Sequence, residues 1–296
     1  MDGYAYVDGA RDGESNMAID RRLLEIAEHR QCALVRVYRW IEPTLSLGHF
    51  QATVDRAVHP PSAKLKTVLR ASGGGAIVHH HEWTYSIAIP VGINKIGAST
   101  HLYDLVHDAL VIGLRGLGYD ARKWRSDNQS EPSASVAATA HAGPSFQRTW
   151  PTVAQPNCGE IDSKHRQAAF LCFQRRSCGD IVCGDVKVVG SAQRRFGSSV
   201  LQHGSILCST SPFAPELLGL AELVQLGADL ADRENGRRPN PFSKKAAQKD
   251  ENFGYDVLSW VVAPLFKSLG VCCTISDGPP DLVESWSCSE TKRETF

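Results

Sequence analysis

The chain has 296 residues, enough for one large domain or a domain with an appendage, and its apolar and aromatic content is ordinary for a globular protein. Its 32 basic and 32 acidic residues balance to zero, so no basic field argues for nucleic acid and no basic amphipathic segment for a membrane surface. No apolar run is long enough to span a bilayer, and the polar opening MDGYAYVDGARDGE does not read as a secretory signal, so the cytoplasm is the expected compartment.

Nine cysteines is an odd count, and a reducing compartment keeps such thiols free. Cys172, Cys178 and Cys183 lack the C-x2-C spacing of a zinc knuckle, so no metal is expected there. Cys272 and Cys273, in an apolar stretch, read as small buried hydrophobes.

In chain order, Tyr4–Val7 reads as a short strand. Ser15-Asn16 offers an N-cap for a helix whose apolar positions Met17, Leu23, Leu24 and Ala27 share one face. Ala33–Trp40 alternates like a half-buried strand, and Thr44–Gly48 and Thr67–Arg70 are further extended pieces. Ser72-Gly73-Gly74-Gly75-Ala76 lies between β-like runs. Three glycines either bring several backbone N–H groups close to a ligand or form a flexible turn. His79, His80 and His81 follow; neighbours on a strand face opposite ways, so only His79 and His81 could converge, and a metal is not expected. Trp83–Pro90 is another strand, and Leu102–Leu117 has helical spacing with Gly116 and Gly118 at its end. Residues 126–165 turn polar and Pro/Ser/Ala-rich, the composition of a surface insertion.

The stretch from Cys172 to Ser205 is the centre of the chain. Gly184-Asp185 between β-branched runs marks a hairpin. Alternation then puts Lys187 and Val189 on one face, with Val186 and Val188 on the other. A lysine among valines either snorkels at an edge or is held inward for chemistry. Pro215–Leu226 reads as a helix, Asp232–Glu251 as a loop, and Phe253–Leu269 as an amphipathic helix ending at Gly270. Strands with a few packed helices and no strict β-α alternation predict an α+β fold with a mixed, largely antiparallel sheet.

Several separate segments then agree. Asn16-Met17-Ala18 with Asp20, Leu45–Gln51, Arg70 with Ser72-Gly73-Gly74, Thr84-Tyr85-Ser86, Lys187 with Gly190–Arg194, and Leu201–Leu207 occur in this order. The ordered set resembles the biotin/lipoate protein ligase and octanoyltransferase superfamily. Cys172-Phe173, Ser177, Asp180, Ile181-Val182 and Lys187 keep the order and cysteine-to-lysine separation of octanoyltransferases built on the ligase-like scaffold. The chain departs from that branch at Leu69 and Gly75, where arginines are usual, and at Arg176 and Cys178-Gly179.

The resemblance implies a biotin/lipoate ligase-like catalytic domain over 1–230, with 126–165 as a loop insertion, then a linker and C-terminal helical extension over 231–296. It implies transfer of an octanoyl group from acyl carrier protein to a lysine of a lipoyl-carrier domain, such as the glycine-cleavage H protein, through a cysteine thioester and without a cofactor. Cys172 would be the nucleophile and Lys187 its cationic partner, because a nearby ammonium stabilises a thiolate and the developing thioester oxyanion. Arg70, Ser72, Gly73, Gly74, Gly75, Ala76, His79, Gly190, Ser191, Gln193, His203 and Gly204 would bind substrate. His203 is a candidate proton acceptor for the incoming amine, and Val78, Tyr85 and Val189 are candidate walls of an acyl tunnel. The alternatives are an ATP-dependent lipoate or octanoate ligase, which would need ATP and Mg, and a lipoyl-domain binder without catalysis.

Overall fold

A computed structural model describes residues 1–90, 99–125, 169–224 and 251–284. The expected insertion at 126–165 and the loop expected from Asp232 up to 250 lie outside the described residues.

The chain opens with β1 (Asp2–Val7), α1 (Gly13–Arg30), β2 (Ala33–Tyr38), β3 (Thr44–Leu47), β4 (Lys66–Leu69), β5 (Ile77–His79) and β6 (Glu82–Pro90). It continues with α2 (Ser99–Gly116), β7 (Ala121–Lys123), β8 (Ile181–Cys183), β9 (Val186–Phe196) and β10 (Ser199–Leu207). The last elements are the long helix α3 (Glu251–Leu269), β11 (Cys272–Ser276) and the short α4 (Asp281–Glu284). The main sheet runs β11-β1-β2-β6-β10-β9-β8-β7, and β4-β3-β5 form a second, smaller sheet. Only the β11-β1 and β1-β2 pairs of the main sheet are parallel, so the expected mixed, largely antiparallel sheet is the one found.

Strand alternation divides the main sheet into two unlike faces. Val35, Val37, Tyr85, Ile87, Val200 and Ile206 point to a large apolar core closed by α2 and α3. The intervening residues face the other way, where α1 lays Leu23, Leu24 and Ala27 on Leu34, Ala88 and Leu201. Beyond that apolar patch the same face turns polar: Arg36, Ser86 and His203 sit in one cross-strand row. β2 is therefore buried on both faces rather than one, because helices cover the sheet on either side.

Four expectations are corrected. The N-cap of α1 is Asp12, whose carboxylate accepts from Ser15 N at 3.0 Å, while Asn16 is buried and turns inward to Arg36. Pro215-Glu216 forms a turn and residues 217–219 are irregular, so the helix starts only at Leu220, where Glu222 reaches back to the N–H groups of Gly219 and Thr210. Cys272 and Cys273 are exposed, since β11 is the edge strand of the main sheet. Lys187 and Val189 do not share a face. An extra residue in β9 opposite the Ile181/Val182 step breaks the alternation, and Val189 joins Val186 and Val188 in the core. In the C-terminal segment, α3 supplies Phe253, Val257, Val261 and Leu265 to the main core, and β11 extends the main sheet.

Candidate active site

The glycine loop and Cys172 come from distant parts of the chain and are joined by backbone pairing. Ala76 N donates to Phe170 O at 2.9 Å, and Cys172 N donates to Ala76 O at 2.8 Å. This bridge seats the 3₁₀ turn Cys172–Gln174 against the loop. Arg70 holds the loop from behind. It donates to Ser46 O at 2.8 Å, to Ser46 Oγ at 2.6 Å and to Gly75 O at 2.7 Å. Burial pushes its guanidinium down to about 10, with the neighbouring Cys172 and Glu82 working in the opposite direction. Nearly all the donor capacity of Arg70 is thus spent on protein oxygens.

Lys187 is buried beside Cys172. Its ammonium lies 2.7 Å from Asp180, 3.2 Å from Cys172 O, 3.2 Å from Arg175 O and 3.8 Å from the Cys172 sulfur. Three oxygens match its three N–H groups, so what reaches the sulfur is chiefly charge. The aliphatic stem folds back over Gly190, where a Cβ would come 2.8 Å from Cε and 3.1 Å from Nζ. Asp180 is fixed in turn by Ser177 N at 2.7 Å and Tyr103 OH at 3.3 Å.

Two spaces meet at Cys172. The inner one is a narrow, mostly apolar cleft of about 40 Å³ walled by Met17, Tyr38, Trp40, Ile77 and His79, with His203 and Gly204 beyond. The outer one is a wide groove bordered by Tyr103, Arg175, Arg176, Asp180, Lys187 and Gln193. Gly74, Cys172 and Ser191 border both.

Of the residues singled out in the sequence, Arg70, Gly73, Gly74, His79, Cys172, Gly190, Ser191, His203 and Gly204 line the cleft. Gly75, Lys187 and Gln193 line the groove. Ser72 and Ala76 line neither. Ser72 Oγ is hydrogen-bonded to His203 Nε2, and Ala76 carries the bridge to Cys172. His203 Nδ1 faces Asp20 at 3.2 Å, so both ring nitrogens are taken and none is left for an incoming amine. Val78, Tyr85 and Val189 do not wall the cleft. On β5 the neighbours Ile77 and His79 face it, which sends Val78 to the core of the small sheet.

Sequence reasoning missed the walls Tyr38 and Trp40, the groove cation Arg175, and the pair Tyr103 and His107 on α2. Tyr38 and Trp40 sit at the end of the stretch that read as a half-buried strand, with nothing in the alternation to mark a site. Trp40 stacks on His79 with ring centroids 3.8 Å apart, and His79 bonds Ser46 and Glu82. The only signal for His107 was a histidine on the apolar stripe of a helix, which usually means core.

Beneath the cleft lies a charged network. Asp20 takes bonds from Tyr38 OH at 3.1 Å, Ser86 Oγ at 2.7 Å, Arg36 at 3.4 Å and His203. Burial alone would raise the Asp20 carboxyl, but His203, Arg36 and Ser86 outweigh it and hold the group below the ordinary carboxylate range. Among the described residues no group of three or more His, Cys, Asp and Glu side chains is arranged to hold a metal ion, and no helix is long and apolar enough to cross a membrane.

The profile of the lipoyl protein ligase A/B catalytic domain matches residues 12–227. An octanoyltransferase LipM of Carboxydothermus hydrogenoformans is 30% identical over 212 residues, covering 70% of this chain and 65% of the relative. That of Moorella thermoacetica is 34% identical over 207 residues, covering 67% of this chain and 62% of the relative. The matches thus span less than two thirds of the length of these relatives. Among solved structures, a lipoate-protein ligase A bound with ATP superposes with a TM-score of 0.56 at 16% identity, covering 96% of this chain and 92% of that one. The bipartite lipoate protein ligase of Thermoplasma acidophilum does so with a TM-score of 0.53 at 16% identity, covering 96% and 90%. These two likenesses are of fold. The family match takes in every element that borders the cleft, from α1 to β10, and the chain belongs to the lipoyl protein ligase A/B catalytic domain family.

Proposed function

We propose that this chain moves an octanoyl group from the thioester of an acyl carrier protein onto Cys172, and from Cys172 to a lysine of a lipoyl-carrier domain. The observation that carries the reading is the Cys172 sulfur 3.8 Å from the Lys187 ammonium, at the point where a narrow apolar cleft opens into a wide groove. The apolar walls of the cleft suit an acyl chain, and the groove suits the arms that bring and remove it. Relatives named octanoyltransferase support the choice of acyl group.

In the first half the Cys172 sulfur attacks the thioester carbonyl carbon. The new C–S bond forms, the carrier's C–S bond breaks, and the carrier thiol leaves with a proton. Lys187 stabilises negative charge on the attacking sulfur and on the developing oxyanion. The backbone N–H groups of Gly73, Gly74 and Gly75 bond to no other described residue and are available to the same oxyanion. In the second half a lysine amine attacks the Cys172 thioester: a C–N bond forms, the C–S bond breaks, and the sulfur recovers a proton. Asp180 keeps the Lys187 ammonium aimed, and Arg70 keeps the loop closed on the turn that carries Cys172.

Incubation with octanoyl-carrier protein and measurement of intact mass tests this. The expected result is one octanoyl adduct, labile to hydroxylamine, absent in Cys172→Ala, and discharged by a lipoyl-carrier domain without ATP. An adduct that persists in Cys172→Ala would falsify the reading. So would lysine octanoylation that requires free octanoate, ATP and Mg and survives Cys172→Ser, the result expected of a ligase.

A further inference from the structure

The floor of the cleft is one cross-strand row of the main sheet. Gly190, Ser205, Thr84 and Tyr38 pair in that order across β9, β10, β6 and β2, and all four line the cleft. Their chain neighbours Val189, Ile206, Tyr85 and Val37 point into the main core, so the row lies on the opposite face, where the Lys187 stem rests on Gly190. The cleft therefore runs across the strands, from the Lys187 and Cys172 end at Gly190 to a far end on β2. Three inter-strand spacings make that run about 14 Å. An octanoyl chain, with seven C–C bonds of about 1.5 Å each, is shorter. The volume is a different matter, because about 40 Å³ is room for only about three waters. The run is long enough for eight carbons and the bore is not, so a wall has to yield when the chain enters.

The walls differ in how firmly they are held. Ile77 packs with Phe173 and Leu207 at the Cys172 end, and its branched Cβ makes it stiff. His79 is bonded to Ser46 and Glu82. At the far end Met17 packs with Tyr38 and Trp40. The Tyr38 hydroxyl donates to Asp20 at 3.1 Å, and the Arg36 guanidinium lies 3.8 Å from the centre of its ring. Trp40 Nε1 donates to Thr84 Oγ1 at 2.9 Å, and the indole stacks on His79. Met17 has no such tie among the described residues, and its unbranched thioether turns about three bonds and fills irregular space.

We propose that Met17 is the wall that decides which acyl chain is taken: its side chain moves aside to admit the octanoyl chain, and its bulk at the far end stops longer ones. The proposal rests on the acyl-enzyme reading and assigns the chain-length limit of the same site. Met17 meets the tail of the acyl group and not the reacting atoms, so attack at the thioester carbon stays with Cys172 and Lys187.

Acyl carrier proteins loaded with four-, eight- and twelve-carbon chains are compared by the rate of adduct formation on Cys172, followed by intact mass. The rates are read as ratios, so that any loss of folded protein cancels. Met17→Ala opens the far end, and the twelve- to eight-carbon ratio is expected to rise about tenfold or more, the scale on which an apolar pocket reads a methylene. Met17→Ile keeps nearly the same volume but fixes the side chain at its first torsion. Its eight- to four-carbon ratio is expected to fall about tenfold, with no gain for twelve carbons. A ratio that stays within about twofold of the parent in either variant overturns the proposal. Equal slowing of all three chains is that case, and is what lost packing under α1 alone would give. A parent chain that takes an adduct from none of the donors is a different result: it refutes the acyl-enzyme reading and this inference together.

Discussion

At the scale of single residues, the Asp180–Lys187 pair carries the largest electrostatic consequence. Both side chains are buried and 2.7 Å apart, so removing one partner strands the other charge away from water. Asp180→Asn is expected to lower stability by roughly 3–5 kcal/mol, as for other broken buried pairs, and to slow Cys172 loading, read by chemical denaturation and by the rate of adduct formation. Tyr103→Phe removes only the 3.3 Å bond to the same carboxylate and is expected to cost about 1 kcal/mol. His107 sets a pH dependence. The unfolded chain protonates this histidine near 6.5 and the folded chain only near 4, because burial disfavours the imidazolium. Between those values the unfolded state binds more protons, so stability is full above the window and falls as pH drops through it, by roughly 3 kcal/mol. His79, lowered first by burial as well, acts in the same direction. Urea midpoints measured from pH 7 to pH 4 should fall steeply in the parent chain and less so in His107→Gln.

At the scale of elements, two close approaches carry the architecture. In β9 the stem of Lys187 rests on Gly190, and the obstructing atoms are the end of a flexible side chain. Gly190→Ala is therefore expected to displace the ammonium from Cys172 and slow loading about tenfold or more, a loss of some 1.4 kcal/mol of transition-state stabilisation, and to lower the thermal midpoint as the same shift loosens the buried pair with Asp180. Between α2 and α3 the contact is rigid: a Cβ on Gly113 would collide with the indole of Trp260. Gly113→Ala is expected to part the two helices at a cost of about 1–3 kcal/mol, visible as a lower midpoint with the Cys172 chemistry otherwise retained. The extra residue in β9 belongs to this scale too. A pattern of alternating side chains put Lys187 and Val189 on one face, and one bulge reversed the second of them. Periodicity reports a regular strand, and a bulge is set by the partner strand.

For the molecule as a whole, the C-terminal segment is the test of integrity. α3 buries eight apolar side chains against the sheet and α2, and each such burial is worth about 1.5–3 kcal/mol before entropy is counted. Truncation before Glu251 is expected to give a chain without a cooperative thermal transition and with dye-binding apolar surface, even though every residue that borders the cleft is retained. A truncated chain that melts cooperatively near the parent midpoint would show α3 to be dispensable.

Much of this was legible in the residues themselves. Element types along β2, β3, β6, α2 and α3 followed from apolar spacing and breakers, and the ordered segments from Asn16 to Leu207 sufficed to place the chain in its superfamily. These signals are local, and adjacent residues carry them. What tertiary structure alone decided was which groups share a proton or a charge: Ser72 with His203 and Asp20, Ser191 with His107 and Tyr85, Lys187 with Asp180. Those partnerships join side chains up to 183 positions apart. They depend on strand register and on which sheet face each helix covers, and no spacing within a single stretch of chain encodes either.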